Sequence, residues 1–243
     1  MQVNNIFFIC SLFAVCFLNA SPLIPSNEIS YSSRNAFGNP IDHILGNRIG
    51  IHNGVFIEVG AHDGIFQSNT KLLEDFYGWT GVLVEPSPSL YKRLVSNRPH
   101  SRCFHCALGA FEQDNTYLYG DFDGSPMSSV DGKRRNQPST QRVPVRTLQS
   151  ILDELNLNYI DFFSLDVEGY ELNILKGINF KKTQFKYILI EIYNSFYEEI
   201  VEFMLQKGYV LVENISQYSF TTNPEWDGIH NDYLFQRIEA GDG

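Results

Sequence analysis

Cysteine is scarce in this chain. There are four, and two of them, Cys10 and Cys16, lie within the first twenty residues. The body of the protein keeps only Cys103 and Cys106, too few for a disulfide-built scaffold or a four-cysteine zinc site. They fall in Arg102–Leu108, which reads as a strand. Residues three apart in a strand face opposite ways, so a bridge is awkward and two buried thiols are expected. Basic residues are also few: 18 Lys and Arg stand against 28 Asp and Glu, for a net charge of −10. Broad nucleic-acid binding needs phosphate-neutralising cations, so no nucleic-acid partner is expected. There is no internal repeat. The apolar run Ile6–Leu18 is shorter than a comfortable membrane span of ~20 residues. The loop Gly60-Ala61-His62-Asp63-Gly64 lacks the full G-x-G-x-x-G dinucleotide fingerprint.

What is present begins with an uncharged stretch, Met1–Ala20. Small residues follow its apolar run at Asn19-Ala20-Ser21-Pro22. The pattern predicts a secretory signal peptide over residues 1–20, cleaved near Ala20 and leading to the endoplasmic reticulum and Golgi lumen or outside the cell. Left uncleaved, the segment would associate with a membrane. Residues 21–50 read as a polar lead-in with a short helix around Ile41–Leu45. Residues 51–240 read as one domain, long enough for a sizeable core. Asn214-Ile215-Ser216 is a glycosylation sequon, usable in a secreted chain where exposed.

Gly54–Gly64 organises the domain. Val55-Phe56-Ile57 is an apolar run carrying Glu58 and ending in glycines, the form of a buried parallel strand that turns into a helix. Leu72, Leu73, Phe76 and Tyr77 then recur at helical spacing, with Gly78 as a stop. Further strands are expected at Val82–Glu85, Arg102–Leu108, Val143–Thr147, Ile160–Asp166 and Tyr187–Ile192, with a short accessory strand at Asn115–Gly120. Helices are expected at Ser87–Asn97, Leu148–Leu155, Tyr170–Gly177 and Phe196–Lys207. Tyr209–Ile215 and Asn231–Ile238 are expected to pair antiparallel at the end. This alternation predicts a three-layer α/β Rossmann-like fold with a mostly parallel sheet, and places a ligand crevice outside the carboxyl ends of the strands. Gly60, Glu85, Ala107 and Asp166 fall at such ends.

Gly60 permits the turn after the first strand, and Gly64 is expected to let backbone approach a ligand. Glu85 ends the second strand and is fixed by Pro86-Ser87-Pro88. An acid there can accept both hydroxyls of a ribose. His62 sits in the loop as a possible base, and His105 reads as a core or pocket-wall residue. Asp121–Gln141 is long and weakly patterned, the form of a lid hinged at Gly124, Ser125 and Gly132. Its Lys133-Arg134-Arg135 reads as a solvated positive turn.

Several motifs occur in order. Glu58-Val59-Gly60-Ala61-His62-Asp63-Gly64, Gly81-Val82-Leu83-Val84-Glu85-Pro86, Ala107-Leu108-Gly109, Val145-Arg146-Thr147-Leu148, Asp166-Val167-Glu168-Gly169-Tyr170-Glu171 and Leu175-Lys176-Gly177 together resemble the FkbM family of S-adenosylmethionine-dependent methyltransferases. Ser68-Asn69-Thr70 and Gly78-Trp79-Thr80-Gly81 further resemble a subgroup containing Star-type proteins, associated with the secretory pathway and trafficking of growth-factor precursors. The resemblance implies a class I methyltransferase fold with S-adenosyl-L-methionine as cofactor. It implies that Glu58, Gly60, Ala61, Asp63 and Gly64 surround the methionine part, that Glu85 takes the ribose, and that Cys106 and Ala107 pass the adenine. Asp166 would stand beside the sulfonium and the methyl acceptor. Asp166 and Glu168 then become the catalytic candidates: one carboxylate stabilises the sulfonium and a second accepts the proton of an attacking hydroxyl. A divalent cation held by Asp166, Glu191 and Asn194 is a lesser expectation. The expected reaction is O-methylation of a small-molecule or glycan-like hydroxyl. The alternative is a trafficking or binding protein, with a secretory cargo protein as partner, that uses the fold without catalysis.

Overall fold

The computed structural model describes residues 52–221, 224 and 226–238. The expected signal segment, the lead-in with its helix at Ile41–Leu45, and Cys10 and Cys16 lie outside the described residues. Val55–Val59 forms β1, the strand around which the sheet grows. Phe56 and Ile57 are both fully buried, which a strand covered on both faces requires. Thr80–Val84 (β2) and Tyr159–Leu165 (β7) flank it in parallel. Arg102–Phe104 (β3) extends the β2 side. Gln184–Tyr193 (β8), Tyr209–Asn214 (β9) and His230–Arg237 (β10) build the other. The order is β3-β2-β1-β7-β8-β10-β9. β10 runs antiparallel between β8 and β9, as the terminal pair of strands predicted.

Five helices connect these strands: Lys71–Tyr77 (α1), Pro88–Asn97 (α2), Leu148–Glu154 (α3), Glu171–Leu175 (α4) and Tyr197–Gln206 (α5). Their starts and stops follow local chemistry. Gly78 closes α1 in the left-handed region. Ser87 and Thr147 cap α2 and α3 by accepting from Leu90 and Ser150 N–H. Two main apolar clusters fill the layers on opposite faces. One includes Ile57, Phe163, Ile188 and Met204; the other includes Phe56, Trp79, Phe162 and Leu234. Phe56 against Ile57, and Phe162 against Phe163, show the strand period sending neighbours to opposite faces.

The structure departs from the sequence expectation at Arg102–Leu108. The chain leaves the main sheet after Phe104, and Ala107–Leu108 (β4) joins a second, three-stranded sheet with Tyr117–Gly120 (β5) and Gln141–Arg146 (β6). A single apolar run thus serves two sheets, a break that periodicity alone does not mark. Cys103 and Cys106 are unbridged, half-buried and buried respectively.

Candidate active site

The carboxyl ends of β1, β2 and β7 open into a cleft enclosing about 810 Å³ of empty space, counted to its open mouth. At its floor, Gly60 N–H and Ala61 N–H both donate to the Val84 carbonyl at 3.1 Å, and Asp166 N–H donates to Val59 O at 3.1 Å. Gly60 has φ +86°, and a Cβ there would lie 1.8 Å from the Asp166 carbonyl oxygen. Both the backbone angle and the approach of β7 demand glycine.

Glu85 stands one residue beyond β2 with its carboxyl fixed from both sides. His62 N–H donates to Oε2 at 2.9 Å and Ser87 N–H to Oε1 at 2.8 Å. Burial pushes its pKa up to about 8 against the opposing pull of those two N–H groups. Pro86, Leu90, Cys106, Ala107 and Leu108 continue the wall as an apolar slot. Burial also raises the Cys106 thiol to about 12, so it stays an uncharged wall residue.

Across the cleft, β7 ends at Leu165 and the chain turns through Glu168 and Gly169, at φ +58° and +98°. The Glu171 carboxylate closes the turn by accepting from Val167 N–H at 3.1 Å and Gly169 N–H at 3.0 Å. The turn brings Glu168 back toward Asp166, and both line the cleft. Their carboxyl oxygens and one of Glu191 lie within 4.8 Å of one another. Burial raises Asp166 and Glu191 well above the ordinary carboxylate range; the charge of Glu168 adds to both and that of Asp166 adds to Glu191, while Glu191 draws Asp166 the other way. Glu168 is raised less, since Tyr193 OH donates to its Oε2 and Arg134 Nε donates to the same oxygen at 3.1 Å.

Not every residue singled out from the sequence reaches the cleft. Gly60, Glu85, Cys106, Ala107, Asp166 and Glu168 line it; Glu58, Ala61, Asp63 and Gly64 stand behind it. Glu58 is buried on the other face of β1, where it accepts from Ser68 Oγ at 2.8 Å, Asn69 N–H at 2.8 Å and Thr70 Oγ1 at 2.6 Å. Asp63 accepts from Ile65 and Phe66 N–H and pairs with Arg93. Ala61 packs into the core. Gly64 makes room for α2 rather than for a ligand, since a Cβ there would meet Leu94 and Arg98 at 2.6 and 2.7 Å. Arg98 is fully buried and ties this back wall together. It donates to Glu74 at 2.9 Å, Gly64 O at 3.1 Å, Ser68 at 3.2 Å and Thr70 at 3.1 Å.

Two further expectations are corrected. Asn194 does not join Asp166 and Glu191: its amide donates to the Gly228 carbonyl at 3.0 Å and it is exposed. Glu168 takes its place in the acid group. The Lys133-Arg134-Arg135 stretch is not a solvated positive turn. Arg134 spans Glu168 and Asp227, and Arg135 pairs with Asp121 at 2.8 Å and Asp123 at 2.9 Å. These ties fasten the 121–141 segment as a strap, whose Phe122, Ser125, Ser129 and Val130 form one wall of the cleft. A second groove shares Val130, Glu168 and Tyr170 with the cleft and continues over Tyr193 and Phe196.

Glu191, on β8, is the one member of that expected cation group that does stand beside Asp166. His230 and Asp232 come from β10, which the sequence marks only as a buried strand, and their one signal is an ionisable residue inside or beside an apolar run. Backbone strain marks the same place. Outside Asn and Asp, four described non-glycine residues have positive φ, and three of them, His62, Gln67 and Glu168, line the cleft.

Residues 58–211 match the methyltransferase FkbM domain model, more than half the chain, and the protein belongs to that family. No curated protein sequence matches it. Solved structures similar to it include the methyltransferase domain of bacterial CtHen1-C (10% identity, 82% of this chain and 97% of that one, TM-score 0.47). Precorrin-6y C5,15-methyltransferase from Geobacter metallireducens is another (11% identity, 80% and 86%, TM-score 0.46). So is a TehB-like methyltransferase from Corynebacterium glutamicum (12% identity, 82% and 88%, TM-score 0.44).

Proposed function

We propose that the protein is an S-adenosylmethionine-dependent methyltransferase acting on a hydroxyl of a small-molecule or glycan-like acceptor. The observation that carries the reading is the Glu85 carboxyl, held by two backbone N–H groups on one side of the cleft and facing the Asp166–Glu168 acids on the other. The donor set fits the cofactor. Each Glu85 oxygen takes one N–H and keeps a second lone-pair direction for a ribose hydroxyl. The slot formed by Pro86, Leu90, Ala107 and Leu108 suits an adenine. The acids opposite suit a cation, and Arg134, the guanidinium nearest them, is already engaged by Glu168 and Asp227. Bound there, S-adenosylmethionine would supply an electrophilic methyl group on a sulfonium.

This chain's residues would contribute position and charge. Asp166 favours positive charge at the cleft wall. Glu168, held by Arg134 and Tyr193, faces both the cleft and the second groove, where it is placed to receive a proton from an acceptor hydroxyl. Tyr170, Tyr193 and the exposed Phe196 line that groove, an aromatic lining that suits a sugar ring. Calorimetry of the purified protein with S-adenosylmethionine tests the reading. Binding in the micromolar range is expected, and no binding at high micromolar ligand would sink it.

The motifs that suggested a trafficking subgroup have work inside the fold. Ser68, Asn69 and Thr70 hold Glu58, and Gly81 gives the Phe56 ring room. A module without catalysis has no use for an acid-lined cleft with strained walls, and the enzyme reading is favoured for that reason. The uncharged apolar stretch at residues 1–20 supports a secretory route. Recovery of a tagged full-length chain in the medium or the lumen supports that route, and a wholly cytosolic chain refutes it.

A further inference from the structure

The motif Asn214-Ile215-Ser216 has no part in the cleft, and the fold treats its two polar side chains differently. Asn214 is the last residue of β9. β9 is the outermost strand of the seven-stranded sheet, paired with β10 on one side and with no strand beyond it among the described residues. The side-chain oxygen of Asn214 is committed to the turn that follows. Oδ1 accepts from Gln217 N–H at 2.9 Å, which fixes the oxygen end of the amide, since a backbone N–H can only donate. The Ser216 hydroxyl lies 3.5 Å from the same oxygen. The nitrogen end is free: among the described residues Nδ2 has no hydrogen-bond partner, and it is not buried, so it meets solvent. Ser216 is the inward member of the motif. It is buried, and its hydroxyl donates to Asn231 Oδ1 at 3.1 Å and accepts from Asp232 N–H at 2.8 Å. Ile215 is buried beside it, with its N–H donating to Asp232 O at 2.8 Å.

We propose that Asn214 carries an N-linked glycan, added before this corner of the sheet closes. The inference rests on the secretory route proposed above and is independent of the cofactor reading. The order of events follows from burial. The transferring enzyme must reach both the asparagine and the hydroxyl two residues on, and in the folded chain that hydroxyl lies inside. The acceptor is therefore the extended chain. Nδ2 attacks the anomeric carbon of an oligosaccharide carried on a lipid pyrophosphate. The N–C bond forms as the C–O bond to the pyrophosphate breaks. The lipid pyrophosphate leaves with the electron pair, and one amide proton passes to solvent. The fold then accepts the product, because the modified amide keeps its oxygen. Gln217 N–H retains its acceptor, and the sugar replaces a hydrogen that faced water. The other occurrence of the motif, Asn19-Ala20-Ser21, is divided by the expected cleavage after Ala20, so the mature chain offers Asn214 alone. The position also has a use. A bulky solvated group at the end of an edge strand hinders pairing with a second chain, and β9 has Val210 and Val212 exposed.

The test is to produce the tagged full-length chain in cells with a eukaryotic secretory pathway, which supply the lipid-linked oligosaccharide. The chain recovered from the lumen or the medium should run as a heavier band that a peptide-N-glycosidase shifts down. That enzyme cuts the sugar from the side-chain nitrogen and turns the carrying asparagine into aspartate, so peptide mass mapping reports the position, expected to be Asn214. Asn214→Asp keeps the oxygen that Gln217 N–H uses and removes only the nitrogen, so the variant should fold and lose the band shift. Ser216→Thr keeps the hydroxyl and the motif and should retain the shift. The wild-type mapping needs no variant to fold. A chain in the lumen or the medium with Asn214 unmodified, with a glycan on Asn19 alone, or with a shift that persists in Asn214→Asp would overturn the site and leave the secretory route standing. A wholly cytosolic chain would overturn both.

Discussion

Glu85→Gln is the sharpest perturbation of the cleft, because the side chain keeps its size and, measured above pH ~8 where the Glu85 carboxyl is ionised, loses one acceptor and the charge. In the wild type, His62 N–H at 2.9 Å and Ser87 N–H at 2.8 Å each take one carboxyl oxygen. A glutamine has one oxygen for two donors, and its amide must face the other N–H. The ribose diol loses one charge-assisted hydrogen bond outright and the other loses its charge. Hydrogen bonds to a charged group contribute about 1.5–3 kcal/mol each. A net loss of about 2–3 kcal/mol makes binding of S-adenosylmethionine roughly 30- to 150-fold weaker. S-adenosylhomocysteine should lose the same factor, since the ribose is common. The same variant changes the pH dependence of stability. The folded pKa of Glu85, raised to about 8, lies above the ordinary value of 4.5. The folded chain thus keeps a proton that the unfolded chain gives up. Its stabilising contribution is complete below the ordinary value and is lost as pH rises toward 8. Glu85→Gln should remove that decline from thermal melts taken between pH ~5 and ~8. A change in affinity under about threefold, in a variant with native circular dichroism, would refute the ribose role.

Two other substitutions probe the walls. Arg98→Met leaves Glu58 and Glu74 buried without their guanidinium. Breaking a buried pair from one side costs about 3–5 kcal/mol, which for a domain of this size lowers the melting temperature by roughly 6–20 °C. A drop of less than about 3 °C by scanning calorimetry would show that Arg98 only fills space. Arg134→Ala unties the strap from Glu168 and Asp227. Amide exchange across residues 121–141 should then quicken about tenfold or more, by the ~1.5–3 kcal/mol of the lost charged hydrogen bonds, with the β1 and β7 amides unchanged. Unchanged exchange in the strap would show that Arg135 and Asp121 hold it alone.

The sheet was legible because its strands are buried on both faces and read as apolar runs between helix signals. Val55–Val59, Thr80–Val84 and Tyr159–Leu165 needed no tertiary information. The break after Phe104 was not legible, since Cys103 and Ala107 look alike as sequence while belonging to different sheets. Glu85 and Asp166 could be placed at strand ends because the last apolar residue locates the end. Glu58 is the instructive contrast. It lies inside β1, and the strand period alone decides its face: it shares a face with Phe56 rather than with Ile57 and Val59. Gly64 misled for a related reason, since its φ of +79° reads as a ligand turn although the space it opens is filled by α2. The Asp166–Glu168 relation depended on where β7 stops, and the Glu171 carboxylate that shapes the turn lies three residues farther on. Arg134 was the hardest to foresee. Its partners, Glu168 and Asp227, are separated from it by 34 and 93 positions.

The two sides of the cleft divide the proposed chemistry by what changes during the reaction. In the proposed complex, Glu85, the apolar slot and the strap would face parts of the cofactor that are the same before and after methyl transfer, so they would provide affinity without direction. Asp166 and Glu168 would face the place where charge is lost in that complex, because a sulfonium becomes a thioether. Carboxylates there stabilise the donor complex more than the product complex. Taken alone, that difference opposes the reaction by holding the charged ground state, as any static anion would. On the proposed reading Glu168 offsets this when it takes the proton of the acceptor hydroxyl, since the proton lost by the acceptor and the charge lost at sulfur are then balanced beside one another on the same wall of the cleft.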